Sequence, residues 1–597
     1  MCGIIGYVGR GEVVPVLLKG LRSLEYRGYD SSGVAVHTGQ ELRVVKKAGR
    51  IAALEGALEE YPLSGRCGIG HTRWATHGVA TDRNAHPFLS ADGAFAVVHN
   101  GILTNYPELY EDLGAKGVTF SSDTDSEVIA HLIEWSYEGD VLAAIRAAAH
   151  RLRGSFALAV LSIYEPNVIY GVRQDSPLVV GKGREGFSLC SDISGIFDIC
   201  EEYCPLDNGE IVRLCADGAE GYDAAGRSLP LRFLSVAADD CPQRCEGEDR
   251  MLAEIREIPR SLFLGETSFP RREIRELLAA QGEDILLLGC GSAYHAGLVF
   301  LSAMRKLCGV ETRAEIASEF LTARVPVDEK TLVIVLSQSG ETADTLRAAE
   351  CAKARGARIL SICNVRSSSL VRLSDFSVVT KCGRECAVAA TKSYVAQVHS
   401  LLLICLEYAD IKGKIGKSTL DLLRRELAAL PEKADRLVGA EGPLAALAEE
   451  VKGAKAVFYL GRGLDYAAAR EGSLKLKEVS YLFSEAYPSG ELKHGTLALM
   501  ERGVFGVIVA TDPALAEKNA ATISEITCRG ASAVVITSES VAARFSAERV
   551  LVLPDCPPLL SPILSAVVMQ QLAYFVAKAR GCDPDRPRNL AKSVTVE

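Results

Sequence analysis

Two tryptophans, five methionines and an aromatic share of 6% leave little bulky aromatic surface in this chain, whereas 53 glycines supply many tight turns. With 48% hydrophobic and 24% charged residues, the balance favours α/β units and argues against disorder. No uncharged apolar run reaches the roughly 18 to 20 residues a membrane helix needs, and the start lacks a basic segment followed by an apolar one. The expectation is a cytoplasmic protein with no membrane partner. No stretch is dense in Lys and Arg, and a net charge of −10 opposes attraction to a phosphate backbone, so no nucleic-acid partner is expected. The C-x-x-C spacing of structural zinc sites is also missing. The 18 cysteines offer only C-x-x-x-C pairs, at Cys200 and Cys204, Cys241 and Cys245, and Cys382 and Cys386. In a reducing compartment these are expected to be free thiols and buried filler, with no metal bound.

What is present begins with length. A chain of 597 residues exceeds one hydrophobic core, which stops growing at about 250 to 300 residues. Over residues 1–235, β-type runs such as AFAVVHNGIL and SFALAVLSI alternate with Gly, Asp and Asn clusters, and two helical patterns, VVPVLLKGLRSLEY and DSEVIAHLIEW, interrupt them. This predicts an α+β domain with antiparallel sheets. Residues 236–275 turn charged and lose periodicity, as a linker leading into a short helix would. Beyond them the pattern becomes strand, glycine turn, helix, repeated, which predicts βαβ units on parallel sheets. ILLLGCGSAYHAG and VFYLGRGLDYAAA each place G-x-G after an apolar strand and a Tyr three residues beyond, so two copies of one domain are expected, at 276–412 and 445–586, with a tail at 587–597. A single large doubly wound sheet is the alternative.

Three stretches carry chemistry. In TLVIVLSQSGETADTLRAAE an apolar strand runs into hydroxyls of Ser337, Ser339 and Thr342, the Gln338 amide and a helix start, a cradle for an anion without the lysine of the nucleotide-binding G-x-x-x-x-G-K-[ST] loop. A small phosphorylated metabolite fits it better than ATP, and simple helix capping is the alternative. In REGSLKLKEVSYL, Lys475 and Glu478 share a helix face, close in sequence to His494 of ELKHG. They supply acid and base groups for proton transfer, unless they are solvated surface. Near the start, Arg73 and Asp125 suit the carboxylate and ammonium of an α-amino acid, while Asn100 and the Gly101 N–H are donors suited to an oxyanion. Turn and cap roles are the alternatives for each taken singly.

The set MCGIIGYVG, LEYRGYDS, HTRWATHG, NAHP, VVHNG and TDSEVIAHL resembles the glutaminase domain of class II glutamine amidotransferases, an N-terminal-nucleophile αββα fold. SQSGETADT, LKLKE, ELKHG and RPRNLAKSVTVE resemble the two sugar isomerase (SIS) domains and tail of the isomerizing glutamine–fructose-6-phosphate aminotransferase family, in its compact bacterial form. The resemblance implies that Cys2, freed by methionine removal, attacks the amide of L-glutamine with its own α-amine as base, that Asn100 and Gly101 form the oxyanion hole, and that Arg73, Thr76, His77 and Asp125 hold the substrate, with Trp74 gating an ammonia channel. It implies that Ser292, Ser337, Gln338, Ser339, Thr342 and Val388 bind the sugar phosphate of fructose 6-phosphate. By the same analogy His494 opens the ring, Lys592 forms a Schiff base, and Lys475 and Glu478 shuttle protons. No cofactor is implied, and a homodimer is, because the sugar site borrows a histidine from a neighbouring subunit. The family's usual C-G-T-S reads Cys290, Gly291, Ser292, Ala293 here, its A-S-T-K reads Ala389, Ala390, Thr391, Lys392, and its linker motif K-E-I-x-E-Q-P reads Ala253 to Pro259 with changes. Two lost hydroxyls keep open an amidotransferase acting on another ketose phosphate, and SIS domains also occur in non-catalytic sugar-phosphate sensors.

Overall fold

The structure, a computed structural model, describes residues 2–74, 77–236 and 249–595. Its contacts divide the chain into two compact units, residues 1–244 with 593–597, and residues 245–592.

In the first unit, strand Gly3–Gly9 is buried along its whole length inside an eight-stranded sheet, antiparallel to Gly186–Cys190 on one side and Cys67–Arg73 on the other. A strand alternates its side chains between two faces. Ile4 and Val8 accordingly meet Ala96, Val98, Ala157 and Ala159 of a second, seven-stranded antiparallel sheet. Ile5 and Tyr7 pack the other way, onto Val13, Leu17 and Leu21 of helix Val13–Leu24. The far face of the second sheet buries Phe95 and Val97 against Val128, Ile129 and Leu132 of helix Glu127–Trp135. The layers therefore run helix, sheet, sheet, helix.

The second unit holds two separate five-stranded parallel sheets rather than one large sheet. Their strand orders match: Arg313–Ile316, Ile285–Gly289, Leu332–Ser337, Arg358–Cys363, Phe376–Val379 in one, and Ser484–Pro488, Ala456–Gly461, Val504–Val509, Ser532–Ser538, Arg549–Leu553 in the other. The duplication extends to backbone angles. Gly291 and Gly463 cap the 17-residue helices Ser292–Cys308 and Leu464–Ser480 with φ, ψ of 54°, −125° and 58°, −123°, a region that glycine enters far more readily than other residues.

Much of the stretch read as a linker is folded. Residues 237–248, with Cys241 and Cys245, lie outside the described residues. Arg250–Arg256 and Ile258–Ser268 are helices, and their Met251, Ile255, Ile258 and Leu262 are buried in the main core of the second unit. Charges interrupt the apolar spacing there, so burial against the rest of the unit, not local pattern, makes these residues helical. Helices Lys392–Ile411 and Ser561–Ala579 are long and apolar enough to cross a bilayer, each with a mean hydropathy of 1.2, but 89% and 83% of those windows are buried inside the protein. They are core helices, and one continuous apolar cluster, with Leu401, Leu447 and Val567 among its members, runs through both parallel-sheet domains.

Candidate active sites

Pairing of Gly3 with Thr72 and Ile4 with His71 brings the end of strand Cys67–Arg73 beside the chain start. The Trp74 N–H then donates to Cys2 Sγ at 3.4 Å, and Asn100 Nδ2 donates to the Cys2 carbonyl at 3.1 Å. Gly101 follows at φ +139°, where a Cβ would stand 1.9 Å from the Ser155 carbonyl oxygen, so a side chain is excluded there. Asp125, 3% exposed, accepts from the Leu103 N–H at 3.1 Å and from Ser126 Oγ at 3.3 Å, and Ser126 Oγ lies 2.8 Å from His99 Nδ1. Burial pushes the Cys2 thiol up in pKa against the pull of the Trp74 amide and Arg73. A thiol so placed stays protonated until a base takes its proton.

Arg73 donates to the carbonyls of His77, Gly78 and Val79, so its guanidinium also organises the loop after the strand. His77 has a buried Nδ1 with no partner among the described residues and a ring 6.5 Å from Tyr106. Thr76 lies outside the described residues.

In the second unit, Ser337 ends its strand with Oγ accepting from the Gly340 N–H at 2.9 Å and 3.2 Å from Thr342 Oγ1. Ser339 Oγ accepts from the Glu341 N–H at 3.1 Å, and the Gln338 carbonyl takes the Asn364 N–H at 3.1 Å. Thr342 occupies the cap of helix Ala343–Ala354 without a side-chain cap bond, so capping does not explain its hydroxyl. The Gly289–Ser292 turn leaves the neighbouring parallel strand, and both loops share the carboxyl edge of the sheet, where open α/β sheets take ligands.

Lys475 and Glu478 are not solvated surface: the Lys475 side chain is 1% exposed, 2.6 Å from Glu478 and 3.4 Å from Glu471. Glu471, equally buried, accepts from Ser292 Oγ at 2.8 Å and lies 2.9 Å from His295 Nδ1, and Lys475 donates to Ser292 Oγ at 3.1 Å. The Ser292 hydroxyl, expected on the phosphate, thus bridges the two copies. Burial opposes charge on Lys475, but Glu478 and Glu471 outweigh it and raise its pKa. Lys592 pairs with Glu385, whose buried carboxylate also accepts from Ser393 Oγ at 2.6 Å and the Thr391 N–H at 2.9 Å. Burial alone would raise the Glu385 pKa; Lys592 and these donors bring it down. Beside this pair sits Glu254, pushed up to about 8 by burial and by Glu385. The Val388 N–H donates to the Asp585 carbonyl at 3.0 Å. His494 ends the short turn Glu491–His494, is exposed, and has no hydrogen bond or ion pair with the Lys475 cluster among the described residues.

Sequence reasoning missed Glu471, Glu385, His295 and Glu254. Glu471 had a signal, standing four residues before Lys475 on the same helix. Glu385 had none, because its partner lies 207 residues away.

Comparison with known proteins agrees with this architecture. A glutamine amidotransferase domain family matches residues 71–198, and the SIS domain family matches 277–406 and 450–577. The chain is 42% identical over 608 residues to glutamine–fructose-6-phosphate aminotransferase [isomerizing] of Clostridium tetani, and 43% identical over 615 residues to that of Symbiobacterium thermophilum, with 100% of each chain covered. Among solved structures, the C-terminal domain of glucosamine-fructose-6-phosphate aminotransferase from Francisella tularensis aligns at TM-score 0.56 and 32% identity, covering 58% of this chain and 100% of that one. A putative phosphosugar isomerase from Silicibacter pomeroyi aligns at TM-score 0.50 and 25% identity, covering 56% and 99%. With both reaction centres in one chain and relatives matched from end to end, this chain belongs to the isomerizing glutamine–fructose-6-phosphate aminotransferase family.

Proposed function

We propose that the chain converts fructose 6-phosphate and L-glutamine to glucosamine 6-phosphate and L-glutamate. In the first unit the mature Cys2 amine takes the thiol proton, and the sulfur attacks the glutamine amide carbon. Asn100 Nδ2 and the Gly101 N–H stabilise the oxyanion, ammonia leaves, and water cleaves the thioester to glutamate. Arg73 takes the glutamine carboxylate while also holding the loop that follows it, and Asp125 takes the ammonium group. In the second unit Ser337, Gln338, Ser339 and Thr342 hold the phosphate, and Lys592 forms the Schiff base at the ketose carbonyl before ammonia displaces it. Glu478 moves a proton from C1 to C2, with Lys475 beside it to balance charge. His494 opens the sugar ring from a partner subunit; its exposure, away from its own Lys475 cluster, supports a homodimer. The burial of both long apolar helices supports a cytoplasmic setting.

The observation that carries this reading is a chain-start thiol backed by Asn100 Nδ2, in the same chain as a fully buried Lys475 against Glu478. Amide-labelled glutamine incubated with fructose 6-phosphate should place label in glucosamine 6-phosphate; unlabelled amino sugar, or none, overturns it. Ala293 and Ala390 favour one second reading, a different ketose phosphate as acceptor. Faster turnover of another ketose phosphate in a panel of hexose and pentose phosphates would establish that reading.

A further inference from the structure

We propose that His71 is the positioning residue of the oxyanion hole: it decides which face of the Asn100 amide looks at the nucleophile. The inference rests on the glutaminase reading above and adds a residue to it. His71 is fully buried, and its Nε2 lies 3.0 Å from the His99 carbonyl oxygen and 3.1 Å from Asn100 Oδ1. The carbonyl is an acceptor in any assignment, so Nε2 must carry the proton; a bare ring nitrogen there would face lone pairs. That proton then requires an acceptor from Asn100 as well. The amide is thereby fixed with Oδ1 toward His71 and Nδ2 toward Cys2, where it donates to the Cys2 carbonyl at 3.1 Å. Turned by half a rotation, the amide would set its NH2 against the imidazole N–H and aim its oxygen at the developing oxyanion, exchanging stabilisation for repulsion.

The surroundings hold His71 in this one form. Its ring stacks on His86 with centroids 4.0 Å apart and planes 12° apart, which fixes the imidazole plane. His86 Nδ1 in turn accepts the His99 N–H at 3.3 Å, tying the stack to the strand that carries Asn100. Nδ1 of His71 is buried with no partner among the described residues, so a second proton would find no acceptor there. Burial opposes protonation of this ring, and Arg73 and the neighbouring His99 add to that opposition. The neutral Nε2–H tautomer thus persists at working pH, and the orientation of Asn100 does not depend on substrate.

The test uses the full-length protein with His71→Ala and His71→Gln, the latter retaining an N–H donor. Removing an oxyanion donor costs on the order of 10²–10³ in kcat, so His71→Ala should lower kcat for glutamine hydrolysis by about 10²-fold with KM changed less than about 3-fold. Alkylation of Cys2 by iodoacetamide, which develops no oxyanion, and ammonium-dependent synthesis should each stay within about 3-fold, and His71→Gln should recover at least about 5-fold of the lost kcat. In an Asn100→Ala background, His71→Ala should cost less than about 3-fold more, because the two act as one unit. An unchanged kcat, a parallel fall in alkylation and ammonium-dependent synthesis, or full additivity with Asn100→Ala would each overturn the proposal. If His71→Ala does not fold, His71→Gln carries the same cycle. A wild-type protein that releases no glutamate from glutamine would instead overturn the glutaminase reading itself.

Discussion

Around Cys2 most of the buried polar groups are neutral, with three imidazoles, the Asn100 amide and a thiol raised in pKa by burial, and Arg73 and Asp125 are the ions among them. Around Lys475 and Lys592 they are ions, with Lys475 against Glu471 and Glu478, Lys592 against Glu385, and Lys392 against Glu257 at 2.6 Å. The contrast follows the chemistry. Acyl transfer needs fixed dipoles where an oxyanion will develop, and dipoles require no counter-ion. Moving protons along a sugar needs groups that carry and release charge, and a buried ion is tolerable only beside its opposite. One chain therefore holds two solutions to burying polarity, and they should fail differently.

The largest separation is expected from Cys2→Ala. Glutamine-dependent synthesis should fall more than about 10³-fold, while synthesis from ammonium persists, because only the nitrogen source is removed. Equal loss with both nitrogen donors would erase the division between the units.

Next comes Lys592→Met, which strips the fully buried Glu385 of its cation. Synthesis should stop, and chemical denaturation of the second unit should show a loss of about 3 kcal/mol, the lower end of the cost of an orphaned buried charge. Adding Glu385→Gln should restore most of the stability and none of the synthesis. Full stability in the single variant would mean that Thr391 and Ser393 suffice for that carboxylate.

The two centres should also weaken at different pH. Burial lowers His71 to about 3 and lowers His86 and His99, while unfolded histidine takes up its proton near 6.5. Between those values the unfolded chain binds more protons, so the stability these residues confer, present above 6.5, is lost as pH falls toward 3. In the second centre Glu254 has the opposite sign: raised to about 8 from 4.5, its contribution is whole below 4.5 and fades as pH rises toward 8, while the lowered Glu385 keeps its contribution until pH falls below 4.5. Brief acid treatment followed by assay at neutral pH should therefore cost glutamine hydrolysis before ammonium-dependent synthesis; the reverse order would contradict the neutral-histidine picture.

The smallest effect is expected from Ser337→Ala. One lost hydroxyl contact of about 1 kcal/mol should raise KM for fructose 6-phosphate roughly 5-fold and leave glutamine hydrolysis unchanged. An unchanged KM would remove Ser337 from the phosphate cradle.

Much of this architecture is legible in the sequence where chemistry and local pattern coincide. The buried alternation of GIIGYVG, the paired G-x-G turns and the hydroxyl-rich SQSGET loop each encode their structure within a dozen residues. The charged helix Arg250–Arg256 does not, since only the core that receives Met251 and Ile255 makes it fold. Lys475 reads equally as surface or site, because helical spacing places it on a face and says nothing of what covers that face. Glu385 is invisible locally, since its meaning comes from a lysine in the tail. His71 lies within a motif recognised for Arg73, yet its role emerges only when two oxygens are seen at one ring nitrogen.

The apolar cluster shared by the two parallel-sheet domains bears on how such a chain can be cut and rejoined. The two copies share one core: helices Lys392–Ile411 and Ser561–Ala579 each contribute to an apolar cluster that the other copy also lines. A break engineered near Gly439, between helices Leu430–Val438 and Glu441–Val451, should yield fragments that are insoluble apart and reconstitute when co-expressed. The ancestral halves have become obligate partners that happen to share a peptide bond.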